Sequence, residues 1–364
     1  MRAAVLTEVN KPLQILDLEQ EGPKAGEARV KVKAAGICMS DWHIMIGDWP
    51  LPLPMVLGHE AAGEVVEVGP GVSNVKKGDH VIFSFRPHCG YCRYCARGRT
   101  VLCIGHNDTA RWVMHDGTSR IRLNGEPVNQ MARIGTFTEY SVCPAEQLVP
   151  VRKDLPWTHA AIIGCSVATG VGAVIRHANV EAGSSVLVVG CGGVGLNVVQ
   201  GAKLAGAKTI IACDLLDNKL DYAKQFGATH TINGKKEKVI ERVMEITGLG
   251  VDYAFDAIGT EGTIVQIVDA LAPAGHAVIV GIPAFSVKAP LTPFQMVYSE
   301  KKVSGTYYGS VVPAVDFGIL ADLDMEKRIN LDSLISRTYK FDEINEGFRL
   351  MAQGAVARGV ITFD

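Results

Sequence analysis

Four cysteines fall within fifteen residues, as Cys89-x2-Cys92-x2-Cys95-x7-Cys103. Thiolates at that spacing can close a tetrahedral shell around one cation with no open position, the pattern of a structural zinc site. An iron–sulfur loop shares the two short spacings, but its fourth cysteine follows after three residues and precedes proline. Here the gap is seven and Ile104 follows. Redox-active thiols are the remaining reading of the same residues. The total of nine cysteines is odd, and no long apolar stretch follows Met1, so a disulfide framework is not expected. A second set is dispersed. Cys38, Ser40 and His43 close one strand-like run, His59-Glu60 follows a proline-rich loop, and Cys165 lies far downstream. Spacing alone does not join them. Taken singly they read as a buried cysteine, a hydrogen-bonded histidine and a helix-packing cysteine.

A third pattern is Gly190-Cys191-Gly192-Gly193-Val194-Gly195, with Asp214 placed 24 residues after Gly190. The match follows an apolar strand-like run and opens a helical stretch. In that context Gly190 makes the tight turn, Gly192 lets backbone approach a pyrophosphate, and Gly195 allows close helix–strand packing. The helix N-terminus attracts the phosphate charge. A carboxylate at Asp214 accepts the adenosine ribose hydroxyls and repels a 2′-phosphate, which favours NAD over NADP.

The elements that must hold these residues change character along the chain. Alternating runs at residues 28–34, 63–69 and 78–83 suggest an antiparallel, barrel-like first third. From Val186 onward, apolar strands (186–189, 209–213, 251–255, 276–280) alternate with helical stretches ending near Gly206 and Phe226. That rhythm predicts a doubly wound parallel sheet, so the fold class is α/β. A length of 364 residues fits about two domains. The net charge of −2 gives no reason to expect nucleic acid or an anionic membrane as partner. No continuous apolar run reaches the roughly 18 residues of a membrane span. The expectation is a soluble, cytoplasmic protein that acts on a small molecule.

Taken together, these motifs closely resemble the zinc-dependent medium-chain alcohol dehydrogenases, over essentially the whole chain. The stretches that carry the resemblance are residues 34–38, Gly58-His59-Glu60, the four-cysteine loop, residues 164–170, the glycine loop and the terminal Gly359–Phe363. The loop from Cys103 to Cys143, with Asp116-Gly117-Thr118-Ser119-Arg120, is similar to the longer, liver-type branch. The resemblance implies a catalytic GroES-like β-barrel domain (1–166 and 308–364) and a Rossmann NAD-binding domain (167–307). It implies two zinc ions per chain, one structural on the four-cysteine loop and one catalytic on Cys38, His59 and Cys165. Glu60 then stands behind the catalytic zinc or ligates it transiently, and Asp41 orients His59. Ser40 takes the alcohol proton and His43 relays it toward solvent. Thr169 and Val194 pack on nicotinamide, Lys219 joins Asp214 at the ribose, and Arg358 approaches the pyrophosphate. Trp49 and Phe85 line an apolar pocket for aromatic or medium aliphatic alcohols, with Trp112 near its mouth. The residue after the first zinc ligand is often Arg or His in the family. Met39 stands there instead, which implies weaker NADH binding. The hydroxymethyl-thiol dehydrogenase branch usually carries Tyr where His43 stands, so that activity is the alternative. A non-catalytic NAD-binding descendant is the other reading. A homodimer or homotetramer is expected from the family.

Overall fold

In the first alternating run, Ala28, Val30, Val32 and Ala34 face inward, while Arg29, Lys31 and Lys33 are half-buried on the other face. These residues make the strand Glu27–Ile37. From Ala34 to Ile37 every residue is buried, so the strand delivers Cys38 into the interior. The structure is a computed structural model that describes residues 1–106 and 109–364. Two compact units emerge. The first comprises Met1–Cys165, Val312–Lys327 and Leu331–Asp364; the second comprises Ser166–Val311 and Arg328–Asn330. The resemblance implies boundaries at 166/167 and 307/308; the compact units meet at 165/166 and 311/312, with a short return at 328–330.

In the first unit, Glu27–Ile37 is the centre of a largely antiparallel sheet. Its neighbours are Ala61–Val68 on one side and the C-terminal strand Arg358–Thr362 on the other. Beyond them lie His80–Phe83 and Leu148–Pro150 at one edge and Ile335–Lys340 at the other. Tyr140–Pro144 pairs with the first half of the central strand. The register places Gly359 opposite Ile37, which brings the chain's end beside the start of the Cys38 segment. Leu6, Val30, Phe83, Phe137, Phe348 and Ile361 fill the core beneath. Each such side chain contributes about 1.5–3 kcal/mol through burial. The long loop after Cys103 is tied down by Arg120, which is 1% exposed and bonds both Glu27 and Asp116.

The helical span Trp157–Ala178 bears on the expectation about membrane spans. It is 22 residues long with a mean hydropathy of 1.6, enough by length and composition to cross a membrane. Small and polar residues interrupt it, so no single apolar run reveals it. Most of it is buried inside the protein, as in a core helix. Its turns widen to π geometry at Ile163–Val167, the turn that carries Cys165. Such widened turns recur at functional sites because they re-aim a side chain.

The second unit is a six-stranded parallel sheet in the spatial order His230–Asn233, Thr209–Asp214, Ser185–Val189, Val251–Asp256, Leu271–Ile279, Lys302–Gly305. With strands numbered by position in this unit, the order is 3-2-1-4-5-6, that of dinucleotide-binding sheets. The helices Gly193–Leu204 and Asp217–Phe226 close where the sequence pattern ended them. The strand His230–Asn233 gives no apolar run in the sequence, since three of its four residues are polar. The edge strand ends at Gly305. Tyr308–Ser310 forms a tight turn, with Gly309 at φ 63°.

Candidate catalytic metal centre and dinucleotide loop

Three elements of the first unit converge on one point. Cys38 caps the short helix Met39–Met45, His59 follows the Gly58 turn, and Cys165 sits in the widened helical turn. Their ligating atoms lie within 4.8 Å of one another and all three residues are buried. Cys165 Sγ is 3.4 Å from His59 Nε2. The other ring nitrogen, Nδ1, lies 3.2 Å from Asp41 Oδ1, which also accepts a bond from the Gly58 amide at 3.0 Å. Asp41 therefore holds the ring so that Nε2 faces the two sulfurs, the outer support that metal-ligating histidines use.

The electrostatics favour negative charge at this point. The Cys38 thiol is held well below its ordinary range, chiefly by the hydrogen bond from Cys165, against the effect of burial and with help from Arg358 and His59. The same bond, together with burial, pushes the Cys165 thiol up. Burial opposes charge on His59, yet Asp41 and Cys38 outweigh it and raise the ring's proton affinity. A buried thiolate, a second thiol and an imidazole facing one point fit a zinc ion with its fourth position open.

Glu60 lies beside this centre, 0% exposed and paired with Arg358, which is 6% exposed. Arg358 also donates to the Ile37 carbonyl at 3.2 Å. Burial works against its charge, but Glu60 and the two cysteines keep the guanidinium firmly protonated. The resemblance gave Arg358 to the pyrophosphate; in this structure its terminal nitrogens are committed to Glu60 and Ile37. Gly36 makes room for that pair, because a Cβ there would stand 2.7 Å from Glu60 Cδ. Neither the Gly36 packing nor the ion pair was read from the sequence.

Ser40 and His43 occupy successive turns of the Met39–Met45 helix. Ser40 Oγ is 3.8 Å from Cys38 Sγ. His43 Nδ1 is 2.8 Å from Asp48 Oδ2, and its ring stacks on Trp49 at 5.0 Å between centroids. Phe85 meets the His59 ring edge-on at 5.5 Å. Trp49 and Phe85 thus stand beside two of the residues assigned to chemistry. Trp112 packs against the same core from the long loop. Met39 is 44% exposed.

The four-cysteine loop also closes. Cys92 Sγ lies 3.5 Å from Cys95 Sγ and 4.0 Å from Cys103 Sγ, and Cys89 Sγ lies 4.0 Å from Cys95 Sγ. All four ligating atoms fall within 4.8 Å of one another. Backbone amides of Cys89 and Gly105 donate to Cys103, and that of Cys92 donates to Cys89. Backbone N–H groups bring the Cys92 thiol down to about 6, while burial pushes Cys95 up to about 12. All four are free of disulfides. Such a cluster fits a closed tetrahedral zinc site.

In the second unit the glycines of the loop differ in the room around them. Gly190 has φ 93°, and a Cβ there would strike Ile258 at 2.6 Å. A Cβ on Gly195 would stand 1.7 Å from the Gly190 carbonyl oxygen. Gly192, by contrast, has nothing within 4 Å of where a Cβ would be. That gap before the helix Gly193–Leu204 is the approach a pyrophosphate needs. Asp214 ends its strand with Oδ2 accepting from the Cys191 amide at 2.8 Å. Its Oδ1 accepts from Leu215 and Leu216 at 2.7 and 3.1 Å. The tie from Asp214 to the glycine loop itself was not anticipated. Lys219, half-buried on the next helix, bears electrostatically on Cys191 in the same loop. Thr169 is partly exposed on a helix whose Gly170 packs tightly on Val194 and Asn197.

Comparison with known proteins agrees with this geometry. Residues 24–153 match the alcohol dehydrogenase GroES-like domain, and residues 193–322 match the zinc-binding dehydrogenase domain. The whole chain is 40% identical to an S-(hydroxymethyl)glutathione dehydrogenase of Paracoccus denitrificans, covering 99% of that protein. Among solved structures, a zinc-binding-domain alcohol dehydrogenase protein from Burkholderia ambifaria superposes with a TM-score of 0.96 at 33% identity. The match covers 100% of this chain and 98% of that one. Benzyl alcohol dehydrogenase from Acinetobacter calcoaceticus gives 0.94 at 32% identity, covering 100% and 99%. The chain therefore belongs to the zinc-dependent medium-chain alcohol dehydrogenases, as an NAD-dependent oxidoreductase acting on CH–OH groups.

Proposed function

We propose that the chain oxidises a primary or secondary alcohol carrying an aromatic or medium aliphatic group to the aldehyde or ketone, reversibly, with hydride passing to NAD⁺ and a proton released. The observation that carries this reading is the aromatic wall at the metal centre, where Phe85 lies edge-on to His59 and Trp49 stacks on His43. Apolar walls with a few polar groups suit such substrates. Bound zinc supplies polarisation of the alcohol oxygen, and bound NAD⁺ supplies the hydride acceptor. Cys38, His59 and Cys165 hold the metal, and Asp41 orients His59. Ser40, next to Cys38, accepts the hydroxyl proton. His43 relays it to solvent, with Asp48 fixing the ring. Glu60, clamped by Arg358, keeps a negative charge beside the metal position without occupying it.

In the second unit, Gly190, Gly192, Gly193 and Gly195 cradle the pyrophosphate, Val194 and Thr169 bear on the nicotinamide, and Asp214 with Lys219 takes the adenosine ribose. Asp214→Ala is expected to lower kcat/KM for NAD⁺ by about 10- to 100-fold, the worth of a charged hydrogen bond. Turnover of NADP⁺ rises in the same variant. Unchanged relative use of the two cofactors would remove Asp214 from discrimination.

The second reading is oxidation of a hydroxymethyl-thiol adduct, favoured by the relationship to the Paracoccus enzyme. His43 weighs against it. Benzyl alcohol is expected to exceed the adduct of formaldehyde and glutathione in kcat/KM by at least about tenfold, a difference pocket contacts can supply. The reverse order would establish the second reading. We further propose a cytoplasmic homodimer or homotetramer without nucleic-acid or membrane partners. Nine free cysteines suit a reducing compartment. Among the described residues the strand Lys302–Gly305 has no partner on its outer side, and Phe285, Phe294, Val297 and Tyr298 are each at least 72% exposed. An open edge and an apolar patch of this kind are what a second copy covers.

A further inference from the structure

The long loop of the first unit carries a third group of metal-ligating side chains, separate from the two zinc sets. His106 and His115 both turn toward Glu146, which lies in the tight turn Ala145–Gln147. His106 Nε2 is 2.9 Å and His115 Nε2 is 3.1 Å from the same carboxylate oxygen, Glu146 Oε1. The two rings stack, with centroids 4.1 Å apart and planes 26° from parallel. All three ligating atoms fall within 4.8 Å of one another, and each residue is partly exposed.

This convergence is imposed by the buried frame below it. Arg133 is 1% exposed and spends its guanidinium on the loop backbone. Its Nη2 donates to the carbonyls of His106 and Thr109 at 3.3 and 3.1 Å, and its Nε donates to that of Val113 at 3.0 Å. The backbone N–H of Gln130 donates to the Trp112 carbonyl at 2.9 Å. The loop backbone is therefore held at His106, Thr109, Trp112 and Val113. The strand Tyr140–Pro144 in turn delivers Glu146 from the central sheet. Two imidazoles side by side, facing one carboxylate oxygen, crowd two donors onto one acceptor. A divalent ion would let both imidazole lone pairs and the carboxylate oxygen point at one centre.

We propose that His106, His115 and Glu146 form a third metal site, for a divalent first-row transition ion of the zinc and cobalt class. Two imidazoles and one carboxylate are the ligand set for such ions, and the exposed side leaves coordination positions for water. Hard cations such as Mg²⁺ and Ca²⁺ prefer all-oxygen shells and are excluded. The site is exchangeable rather than permanent. His115 Nδ1 has no hydrogen-bond partner among the described residues, and loss of such outer support typically weakens a site by about 10- to 100-fold. Its occupation pins the long loop, with Trp112 between the two histidines, to the sheet.

The test uses the zinc-replete holoenzyme titrated with Co²⁺ and read by absorption and by metal content after equilibrium dialysis. The expected result is one further equivalent of Co²⁺ per chain, with weak ligand-field bands. No thiolate-to-metal charge transfer appears, which separates binding here from exchange into either cysteine site. Glu146→Gln and, independently, His115→Ala lose that equivalent while keeping both zinc ions and the alcohol dehydrogenase activity. Two routes overturn the proposal: no further equivalent in the unaltered enzyme, or an equivalent that persists in both variants.

Discussion

Cys165→Ala is expected to abolish alcohol oxidation while leaving the fold and the four-cysteine zinc in place. The substitution removes one of three donors and leaves Cys38 and His59, too few to hold zinc against the buffer. Polarisation of the alcohol oxygen by a bound metal is worth several kcal/mol, and each 1.36 kcal/mol is tenfold in rate. A loss of about 10³-fold or more in kcat/KM follows. The truncation removes a single buried sulfur, so the cavity it leaves is small. Metal analysis should fall by one zinc per chain while circular dichroism and thermal midpoint stay near those of the parent. Retention of the full zinc content with ordinary turnover would show that Cys165 is not a ligand.

Gly195→Ala has the second large effect, and its origin is steric. The added methyl would stand 1.7 Å from the Gly190 carbonyl oxygen, a backbone atom that no side-chain rotation can clear. The start of the helix Gly193–Leu204 must therefore withdraw from the first strand. Forced overpacking of this kind costs about 1–3 kcal/mol. The functional cost is larger, because the glycine loop and Asp214 are tied through the Cys191 amide and move together. A displacement near 1 Å at a positioning element can cost about 100-fold. NAD⁺ binding is expected to weaken by at least that factor, measured by calorimetry or by KM. The zinc content of the first unit stays unchanged. An NAD⁺ affinity equal to that of the parent would refute the packing role given to Gly195.

What could be read from the sequence follows from how far apart the cooperating residues lie. The four cysteines and the glycine loop are local, so spacing alone carried their chemistry, and the structure closes both. The parallel sheet was legible because its strands are apolar runs separated by amphipathic helices. Cys38, His59 and Cys165 gave no local signal, and only the resemblance of the whole chain joined them. Their convergence depends on a strand that becomes buried on both faces, a left-handed glycine at 58 and a widened helical turn. The pairing of Arg358 with Glu60 spans 298 residues and comes from the register of the C-terminal strand against Glu27–Ile37. Nothing in the neighbourhood of either residue announces it. His106, His115 and Glu146 were likewise invisible, since two separate segments meet only once the loop is folded onto the sheet.

The most direct test of zinc-dependent alcohol oxidation at Cys38, His59 and Cys165 is NAD⁺ reduction with benzyl alcohol, followed alongside zinc content. The purified protein would be assayed as isolated, after a chelator has removed the accessible zinc, and after zinc is restored. Turnover should disappear with the loss of one zinc per chain and return when that zinc is replaced, while the four-cysteine site stays filled. Turnover that persists after the catalytic zinc has left would contradict the assignment.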